Sequence, residues 1–245
     1  MAEWRTVLIT GASAGIGAAY ARALAPRSRR LMLVGRRSER LASMAGELAG
    51  DDREVDWLAV DLATPLGVTR VVEWVRQSGP VELLINNAGL GVYGHFGDGE
   101  LEAQLDMVRV HVDATLALTR AVLPGMREQG GGAIVNVSSI VALSPYAGSA
   151  VYGGSKAFLN NFSEALQQEE ADHGIRVQCL CPGYTRTDFH QRDAFRGFDA
   201  DQVPEKWWMT PEDVVAESLA ALAGDEVVVV PGAANRARWG PRDSQ

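Results

Sequence analysis

The glycine-rich segment Val7–Gly17, VLITGASAGIG, contains the first side chain that could do chemistry, the hydroxyl of Ser13. Residues 11–15 fit the pattern G-x-S-x-G, the sharp strand-to-helix turn that exposes a nucleophilic serine in α/β-hydrolases. The same residues also fit a loop whose backbone amides bind a phosphate group at the N-terminus of a helix. The segment therefore predicts either an acyl-transfer nucleophile or an anion-binding loop.

The position of this segment in the chain separates the two interpretations. A hydrolase turn needs an oxyanion loop from an earlier strand, but only ten residues precede Gly11. A phosphate loop needs only the strand before it and the helix after it, because amides at a helix N-terminus have no partner within the helix. Gly11 would allow the turn, and Gly15 and Gly17 would allow close backbone approach. The spacing G-x-x-x-G-x-G alone also fits an ordinary glycine-rich turn.

A second pattern places Tyr152 four residues before Lys156, in the segment VYGGSK. Residues at this spacing lie on one face of a helix, with their Cβ atoms about 5–6 Å apart. A tyrosine–lysine pair of this kind is common by chance and is then usually a surface pair. Ser139 lies thirteen residues before Tyr152, at the end of a candidate strand. The three side chains together are a more specific indication of a site than the pair alone.

Short apolar runs alternate with amphipathic stretches along the chain, as expected for strands that are buried on both faces between helices. The predicted strands are 6–10, 31–34, 55–60, 83–86, 133–138, 176–180 and 227–230. The predicted helices are 15–24, 39–48, 65–77, 101–126, 152–172 and 211–223. Thr64 and Thr210 each precede a proline at the first helical position, which is the arrangement of an N-cap.

The alternation of strands and helices predicts an α/β fold, a doubly wound parallel sheet of the Rossmann type with about seven strands. A length of 245 residues without a repeat or a linker fits a single domain, residues 1–245. Two stretches fall outside the pattern: the glycine-rich residues 89–99, and residues 188–210, which contain five aromatic side chains. Long loops in compact domains are often lids, and we expect residues 188–210 to be a lid insertion.

The composition excludes several classes of function. The chain carries 23 lysine and arginine residues against 31 aspartate and glutamate residues, a net charge of −8. Nucleic acid and anionic membranes are therefore poor candidates for partners, and no apolar run approaches the ~20 residues of a membrane span. The polar N-terminus lacks the apolar core of a signal peptide, so we expect a cytoplasmic protein. Cys179 and Cys181 would be buried, reduced thiols, and the histidines show no spacing that predicts a metal site.

Six segments together resemble the short-chain dehydrogenase/reductase family. They are TGASAGIG (10–17), VDL (60–62), NNAG (86–89), NVSS (136–139), YGGSK (152–156) and PGYTRT (182–187), and they follow the family's order and spacing over nearly the whole chain. The combination is highly specific, whereas each segment alone is not. The resemblance implies a Rossmann-type fold and hydride transfer between a nicotinamide cofactor and a carbonyl or alcohol.

The resemblance implies that the catalytic residues are Ser139, Tyr152, Lys156 and His111. Tyr152 would be the general acid–base, and its pKa, ordinarily about 10, would have to fall by about 3 units to work near neutrality. The ammonium group of Lys156 would lower that pKa by favouring the phenolate, and it would also bind the nicotinamide ribose. Ser139 would bind the substrate oxygen, whereas its neighbour Ser138 is expected to be a strand residue.

The resemblance also implies which residues hold the dinucleotide. The phosphate loop would consist of Gly11, Ser13, Gly15, Ile16 and Gly17, with Ser13 as a loop hydroxyl rather than a nucleophile. The remaining contacts would be Asp61 and Leu62 at the adenine, Asn87, Ala88 and Gly89 at the ribose, and Pro182, Gly183, Thr187, Tyr152 and Lys156 at the nicotinamide. Asn86 is expected to tie neighbouring strands together.

The residues after the second predicted strand bear on the choice of cofactor. Sites that prefer NAD place a carboxylate there, which accepts a hydrogen bond from the ribose 2′-hydroxyl. The corresponding place here is Gly35, followed by Arg36 and Arg37. A guanidinium group suits a 2′-phosphate, which a carboxylate would repel. We therefore expect NADP(H) to be preferred over NAD(H); the alternative is that the two arginines are only solvated.

His111 departs from the family pattern. Family members usually carry asparagine at this position, where it is thought to hold a water molecule that relays protons to the lysine. His111 would fall on the inward face of the predicted helix 101–126. It could be a packed core histidine, or it could replace the relay, because imidazole both donates and accepts hydrogen bonds.

The combined prediction is an NADP(H)-dependent oxidoreductase that interconverts a carbonyl and an alcohol, with Tyr152 as the acid–base. The alternative is a cofactor-binding regulatory protein with reduced or lost catalysis, because His111 replaces the usual asparagine. The aromatic side chains of residues 188–210 indicate either an apolar substrate or packing at a subunit interface. By resemblance, we also expect a homodimer or homotetramer.

Overall fold

Seven parallel strands form one sheet in the computed structural model, which describes residues 4–189 and 200–240. They are β1 (Trp4–Thr10), β2 (Ser28–Gly35), β3 (Glu54–Ala59), β4 (Leu83–Asn86), β5 (Gly132–Val137), β6 (Ile175–Leu180) and β7 (Val228–Val229). Their order across the sheet is β3-β2-β1-β4-β5-β6-β7. This architecture confirms the predicted α/β fold, a doubly wound parallel sheet of the Rossmann type.

Helices cover both faces of the sheet. In the described residues they are α1 (Gly15–Leu24), α2 (Ser38–Leu48), α3 (Pro65–Ser78), α4 (Leu101–Val108), α5 (Ala114–Glu128), α6 (Ala150–Glu170), α7 (Pro211–Ala221) and α8 (Ala233–Trp239). The sequence did not predict α8. The Thr64 hydroxyl accepts a hydrogen bond from the amide of Gly67, and the Thr210 hydroxyl accepts one from Asp213, so both predicted N-caps are confirmed. None of the described helices is long and apolar enough to cross a membrane.

Two apolar layers enclose the sheet. Val7 and Ile9 of β1 pack against one layer, which α1, α2 and α7 complete, and Leu8 packs against the other, which α3, α5 and α6 complete. Successive side chains of a strand point to opposite faces, and all three of these residues are fully buried. The continuous apolar runs in the sequence therefore reflect strands that have no face toward water.

The strand order reverses between β1 and β4, which are neighbours in the sheet. In open α/β sheets, ligands bind in the crevice at the carboxyl ends of the strands, where the order reverses. The loops that follow β1, β4, β5 and β6 meet at this edge. The segments of the sequence that carry chemically interesting residues therefore converge from distant parts of the chain.

The predicted single helix 101–126 is wrong in one respect, because a π-helical turn, Arg109–Asp113, separates α4 from α5. The amide of Ala114 donates to the carbonyl oxygen of Arg109, five residues earlier. Such turns are often found at functional sites. Hydrophobic periodicity cannot reveal one inserted residue in a long helix. The turn contains His111, which is only 1% exposed.

The predicted lid insertion, residues 188–210, is described only in part. Residues 190–199, including Phe195 and Phe198, lie outside the described residues, so the lid stays a prediction. The described end of the segment is attached to the loop after β6. The amide of Met209 donates to the carbonyl oxygen of Tyr184 at 3.0 Å, and the amide of Arg186 donates to that of Met209 at 2.9 Å.

Candidate active site

A cleft of about 330 Å³ opens at the carboxyl edge of the sheet. Among its lining residues are Gly11, Ser13, Gly15, Ile16, Arg36, Arg37, Asp61, Leu62, Asn87, Ala88, Gly89, His111, Ser139, Tyr152, Lys156, Pro182, Gly183 and Thr187. These are all the predicted site residues except Gly17. Within the described part of the chain, no group of three or more metal-ligating side chains lies together.

The loop after β1 can hold a phosphate group. Gly11 and Gly15 have φ angles of +67° and +54°, which favour glycine, and a Cβ atom at Gly11 would lie 2.7 Å from Nδ2 of Asn87. Helix α1 begins at Gly15, and the side chain of its N-cap residue, Ala14, makes no capping hydrogen bond. Amides of a first helical turn attract anions when no cap satisfies them. The loop therefore fits the pyrophosphate of a dinucleotide.

Gly17 packs against the loop after β1 on the side away from the cleft. A Cβ atom at this position would lie 2.4 Å from the carbonyl oxygen of Gly11 and from Nδ2 of Asn87. The close approach predicted at Gly17 is therefore an approach of Gly17 to Gly11 and Asn87, rather than an approach of the backbone to the cofactor. Gly17 keeps the loop shape that the cleft requires, although it does not line the cleft.

The hydroxyl of Ser13 accepts hydrogen bonds from the guanidinium group of Arg37, at 3.2 Å from Nη2 and 3.4 Å from Nε. A guanidinium group is always protonated and cannot act as a base. This partner therefore does not activate Ser13 as a nucleophile, and it argues against the hydrolase interpretation. Gly35 and Arg36 line the same end of the cleft. Two cationic side chains and a hydroxyl group are a donor set that suits a phosphate group.

Asn87 ties the loop after β4 to the loop after β1. Its Nδ2 donates to the carbonyl oxygens of Thr10 and Gly11, at 2.9 and 3.3 Å. One residue earlier, Nδ2 of Asn86 donates to Oδ1 of Asn136 at 2.9 Å, which confirms that Asn86 joins neighbouring strands. These bonds hold the wall of the cleft in a fixed position where the predicted adenosine half of the cofactor would bind.

Helix α6 and the end of β5 position the three predicted catalytic side chains. Tyr152 and Lys156 lie one turn apart on α6, with Nζ of Lys156 5.9 Å from the centre of the tyrosine ring. Nζ of Lys156 donates to the carbonyl oxygen of Val137 at 2.8 Å. The hydroxyl of Ser139 accepts a hydrogen bond from the amide of Val141 at 3.2 Å and lines the same cleft as Tyr152. The tertiary structure thus brings the three residues into one cleft.

Burial controls the ionisation of this group. It raises the pKa of the Tyr152 phenol to about 12, and the Ser139 hydroxyl offsets part of that rise. Burial also lowers the pKa of Lys156 to about 8. The tyrosine pKa thus moves in the opposite direction to the one that the sequence predicted. The reason is that loss of hydration penalises a buried phenolate more than its polar neighbours stabilise it.

His111 joins the loop after β4 to α6. The amide of Leu90 donates to its Nε2 at 3.1 Å, so we assign the proton to Nδ1, which lies 2.9 Å from Oγ of Ser155. The hydroxyl of Ser155 in turn donates to the carbonyl oxygen of Tyr152 at 2.8 Å. Burial and the charge of Lys156 lower the pKa of His111 well below 6.5. Because both ring nitrogens have protein partners, the geometry favours a packed, neutral histidine over a proton relay.

Sequence reasoning missed some residues of the cleft. Ser138, which was expected to be only a strand residue, lines the cleft, and its Oγ lies 2.9 Å from the carbonyl oxygen of Lys156 and 2.7 Å from Oδ1 of Asn160. Phe189 also lines the cleft, with its ring centre 6.2 Å from that of Tyr152. The aromatic composition of residues 188–210 was the only signal for Phe189. No local signal marked Ser138, because its role depends on contacts with α6.

A sequence model described as short chain dehydrogenase matches residues 5–194 of the chain. The matched region runs from β1 beyond β6, so it contains all the predicted catalytic residues. It also contains the loops that form the cleft. The match therefore rests on the same part of the molecule as the site geometry.

Relatives and solved structures resemble the chain over nearly its whole length. An uncharacterized oxidoreductase of Staphylococcus saprophyticus is 34% identical over 220 residues, which cover 89% of this chain and 91% of the relative. The NADP-dependent 3-hydroxy acid dehydrogenase of Schizosaccharomyces pombe is 34% identical over 235 residues, which cover 93% of this chain and 90% of that protein. A solved short-chain dehydrogenase from Sphingobium yanoikuyae in complex with NADPH is 36% identical, with a TM-score of 0.87 and coverage of 96% of this chain and 90% of that one.

Proposed function

This chain belongs to the short-chain dehydrogenase/reductase family of oxidoreductases, and from that membership we propose that it uses NADP(H) to interconvert a carbonyl and an alcohol. The observation that carries the proposal is the position of Ser139, Tyr152 and Lys156 in one cleft with a phosphate-binding loop. The nicotinamide cofactor would supply or accept the hydride. The side chains of this chain would hold the substrate oxygen and move its proton.

Tyr152 is suited to donate a proton to a carbonyl oxygen. Its pKa of about 12 keeps the phenol protonated at neutral pH. The hydroxyl of Ser139, which lines the same cleft, would stabilise the charge that develops on the same oxygen. Lys156, held by the carbonyl oxygen of Val137, would stabilise the tyrosinate left after proton transfer. These properties suit Tyr152 to proton donation to a carbonyl oxygen.

The preference for NADP(H) is supported by the charges at one end of the cleft. Arg36 and Arg37 line it where NAD-preferring sites carry a carboxylate. The Arg37 guanidinium already lies against Ser13 of the phosphate loop. The relative from Schizosaccharomyces pombe is described as NADP-dependent, and the Sphingobium structure contains NADPH.

The activity is tested by NADPH oxidation against a panel of aldehydes and ketones, with wild type and Tyr152→Phe. We expect the wild type to turn over at least one class of carbonyl compound. Tyr152→Phe should lose turnover by at least a hundredfold and still bind NADPH, because it lacks only the proton donor. If the NADPH-bound wild type reduces no carbonyl compound, the regulatory-protein alternative becomes the better function.

The cofactor preference is tested by calorimetry with NADPH and NADH. We expect NADPH to bind at least tenfold more tightly, about 1.4 kcal/mol. Arg36→Ala and Arg37→Ala should each reduce that ratio. Arg29→Ala removes the same charge at the other end of β2 and serves as the control. Equal dissociation constants for the two cofactors in the wild type would contradict the assignment.

We also propose that the chain forms a homodimer or homotetramer. The support is an apolar surface on α4 and α6, which contact each other. Leu101 and Leu105 lie one turn apart on α4 and are 60% and 39% exposed, and Phe158 of α6 is 37% exposed. Sedimentation of wild type and of the Leu101→Glu/Leu105→Glu double variant tests this proposal. A monomeric wild type would refute it.

A further inference from the structure

The ring of Phe189 lies against the ring of Tyr152 inside the candidate active site. Phe189 lines the cleft, and its ring centre is 6.2 Å from that of Tyr152, with an angle of 46° between the two ring planes. Interacting aromatic rings have their centres about 4.5–7 Å apart. The two rings therefore leave no room for a third group between them, and a substrate at the Tyr152 hydroxyl has to lie beside Phe189.

His111 closes a second side of the Tyr152 ring. Its ring centre is 5.7 Å from that of Tyr152, and the two planes meet at 77°. Both ring nitrogens of His111 have partners in the protein, and the side chain is 1% exposed, so it cannot move aside for a ligand. Phe189 is only half-buried. Of the two rings beside Tyr152, Phe189 is thus the one whose removal would enlarge the cleft.

The backbone of Phe189 is tied to the phosphate-loop side of the cleft. Its amide donates to Oγ1 of Thr187 at 3.2 Å. The Thr187 side chain packs against the first turn of α1, where a Cβ atom at Gly15 would lie 3.1 Å from Cγ2 of Thr187. The residue between them, Asp188, forms an ion pair with Arg40 of α2 at 3.6 Å. These contacts hold Phe189 in one position relative to the phosphate loop.

The proposed reaction brings the substrate next to this ring. A carbonyl oxygen that accepts a hydrogen bond from the Tyr152 hydroxyl lies about 2.7 Å from it, and the carbonyl carbon is one bond further away. Because Ser139 would bind the same oxygen, the direction of the carbonyl bond is fixed. The two substituents of the carbonyl carbon then point to opposite sides, and one of them points toward Phe189.

We propose that Phe189 determines the substrate specificity of this enzyme, because it limits the carbonyl substituent on its side to hydrogen or a methyl group. The inference rests on the proposed carbonyl reduction, and it adds the class of substrate, namely aldehydes and methyl ketones. A larger group on that side has to displace a ring that Tyr152 and the Thr187 hydrogen bond hold in place. One methylene group in a packed site changes kcat/KM by roughly 10- to 200-fold.

A matched set of seven-carbon compounds tests the proposal. 2-Heptanone and 4-heptanone have the same composition, but 2-heptanone has a methyl group on the carbonyl carbon and 4-heptanone has two propyl groups. Heptanal has a hydrogen atom in that place and is the positive control for reduction. With NADPH, we expect kcat/KM for 2-heptanone to exceed that for 4-heptanone by at least about tenfold.

The product of 2-heptanone reduction gives a second, independent measurement. The hydride would reach the carbonyl carbon from one fixed side of the cleft. If the pentyl group is excluded from the side of Phe189, only one face of the ketone is presented to the hydride. We therefore expect one enantiomer of 2-heptanol to make up more than about nine-tenths of the product, which is the result of a tenfold preference.

Variants of Phe189 locate both effects. Phe189→Ala should raise kcat/KM for 4-heptanone relative to 2-heptanone by at least about fivefold, and it should lower the enantiomeric excess of 2-heptanol. Phe189→Tyr keeps the ring and should retain both preferences. Phe96→Ala removes an exposed phenylalanine that does not line the cleft and serves as the control. Thermal unfolding and NADPH affinity show whether each variant has folded. A purely structural role for Phe189 would lower kcat/KM for all three compounds together and leave their ratios unchanged.

The outcomes separate this inference from the proposed function. If the wild type reduces both ketones equally, or if Phe189→Ala leaves their ratio unchanged, the Phe189 proposal is overturned and the reductase remains. If neither ketone is reduced, calorimetry on the NADPH complex of Tyr152→Phe decides. Tighter binding of 2-heptanone than of 4-heptanone, lost when Phe189→Ala is added, supports the Phe189 proposal even if heptanal is not reduced and the reductase is refuted. Equal binding of the two ketones, or binding of neither, overturns it.

Discussion

His111 and Lys156 show how burial sets the chemistry of single residues in this cleft. His111 has both ring nitrogens bonded within the protein, to the amide of Leu90 and to Ser155. Lys156 has lost most of its hydration, with one hydrogen bond to Val137 in return. Both side chains therefore have pKa values below their ordinary ones. These shifts make specific predictions about pH and stability.

The first prediction concerns His111→Asn and pH. In the folded protein His111 stays neutral below its ordinary pKa of 6.5, whereas in the unfolded chain it takes up a proton. The free energy of unfolding should therefore fall as the pH drops below about 6.5, by up to about 1.4 kcal/mol per pH unit. The variant should lose less stability between pH 7 and pH 5, measured by urea unfolding.

The same variant tests the proton relay. A neutral, fully bonded imidazole predicts that wild-type kcat has no histidine inflection between about pH 5.5 and 7.5. Asparagine can also accept a hydrogen bond from the Leu90 amide and donate one to Ser155. We therefore expect the kcat of His111→Asn to stay within about threefold of the wild-type value. A wild-type inflection in that range that disappears in His111→Asn would instead support the relay.

A second prediction at this scale concerns Lys156→Met. The pKa of Lys156 falls from 10.5 to about 8, so its ammonium destabilises the fold at every pH below both values. That penalty disappears as the pH rises from about 8 to 10.5. At pH 7 the variant should be more stable, by at most about 3 kcal/mol at 1.36 per unit, and inactive. The exposed Lys206→Met is the control, and a less stable Lys156→Met would contradict the burial argument.

At the scale of elements, a buried polar network joins α1, α7 and β6. The hydroxyl of Tyr20 lies 2.5 Å from that of Ser218, which lies 2.5 Å from Oε1 of Gln178. Nε2 of Gln178 donates to the carbonyl oxygen of Ser218 at 3.0 Å. All three residues are fully buried. The network fixes α7, and therefore the end of the 188–210 segment that carries Trp208, relative to the phosphate-loop helix.

We expect Ser218→Ala to destabilise the protein by about 1–3 kcal/mol, because it leaves a buried phenol without its partner. Adding Tyr20→Phe to Ser218→Ala removes the phenol hydroxyl that has lost its partner, and it should restore part of the lost free energy of unfolding. The exposed Ser144→Ala is the control. Urea unfolding of the wild type, the two single variants and the double variant forms a double-mutant cycle. Additive losses for Ser218→Ala and Tyr20→Phe would show that the two hydroxyls are not coupled.

At the scale of the whole molecule, the cleft is formed by parts of the chain that lie far apart in sequence. A Cβ atom at Gly15, in the first turn of α1, would lie 3.1 Å from Cγ2 of Thr187, in the loop after β6. The two halves of the sheet therefore meet across the phosphate loop. A cofactor that binds there should stabilise the fold as a whole.

We expect NADPH at one hundred times its dissociation constant to add about 2.7 kcal/mol to the free energy of unfolding. NADH at the same concentration should add less. Gly15→Ala should reduce the NADPH effect, because it combines a φ of +54° with the approach to Thr187. Gly46→Ala in α2 has no neighbour within 4 Å and should keep the effect. The measurement is thermal unfolding; equal NADPH effects in Gly15→Ala and wild type would contradict this account.

The sequence by itself determined the class of fold and most of the cleft. Strands buried on both faces must be continuously apolar, so β1 and the other strands could be found within a few residues of their ends. Caps such as Thr64 depend on neighbours in the chain, so they too could be predicted. Spaced motifs such as the one that contains Tyr152 and Lys156 predicted which residues would meet, because the family resemblance that they carry implies a Rossmann-type sheet, whose strands bring the loops at their carboxyl ends together.

Only the tertiary structure decided how those residues behave. The π-turn around His111, the contact of Arg37 with Ser13 and the raised pKa of Tyr152 all depend on groups that are distant in sequence. Local patterns record which residues a segment contains. Hydration, pKa values and ring contacts follow from which segments pack together, and only the folded chain fixes that.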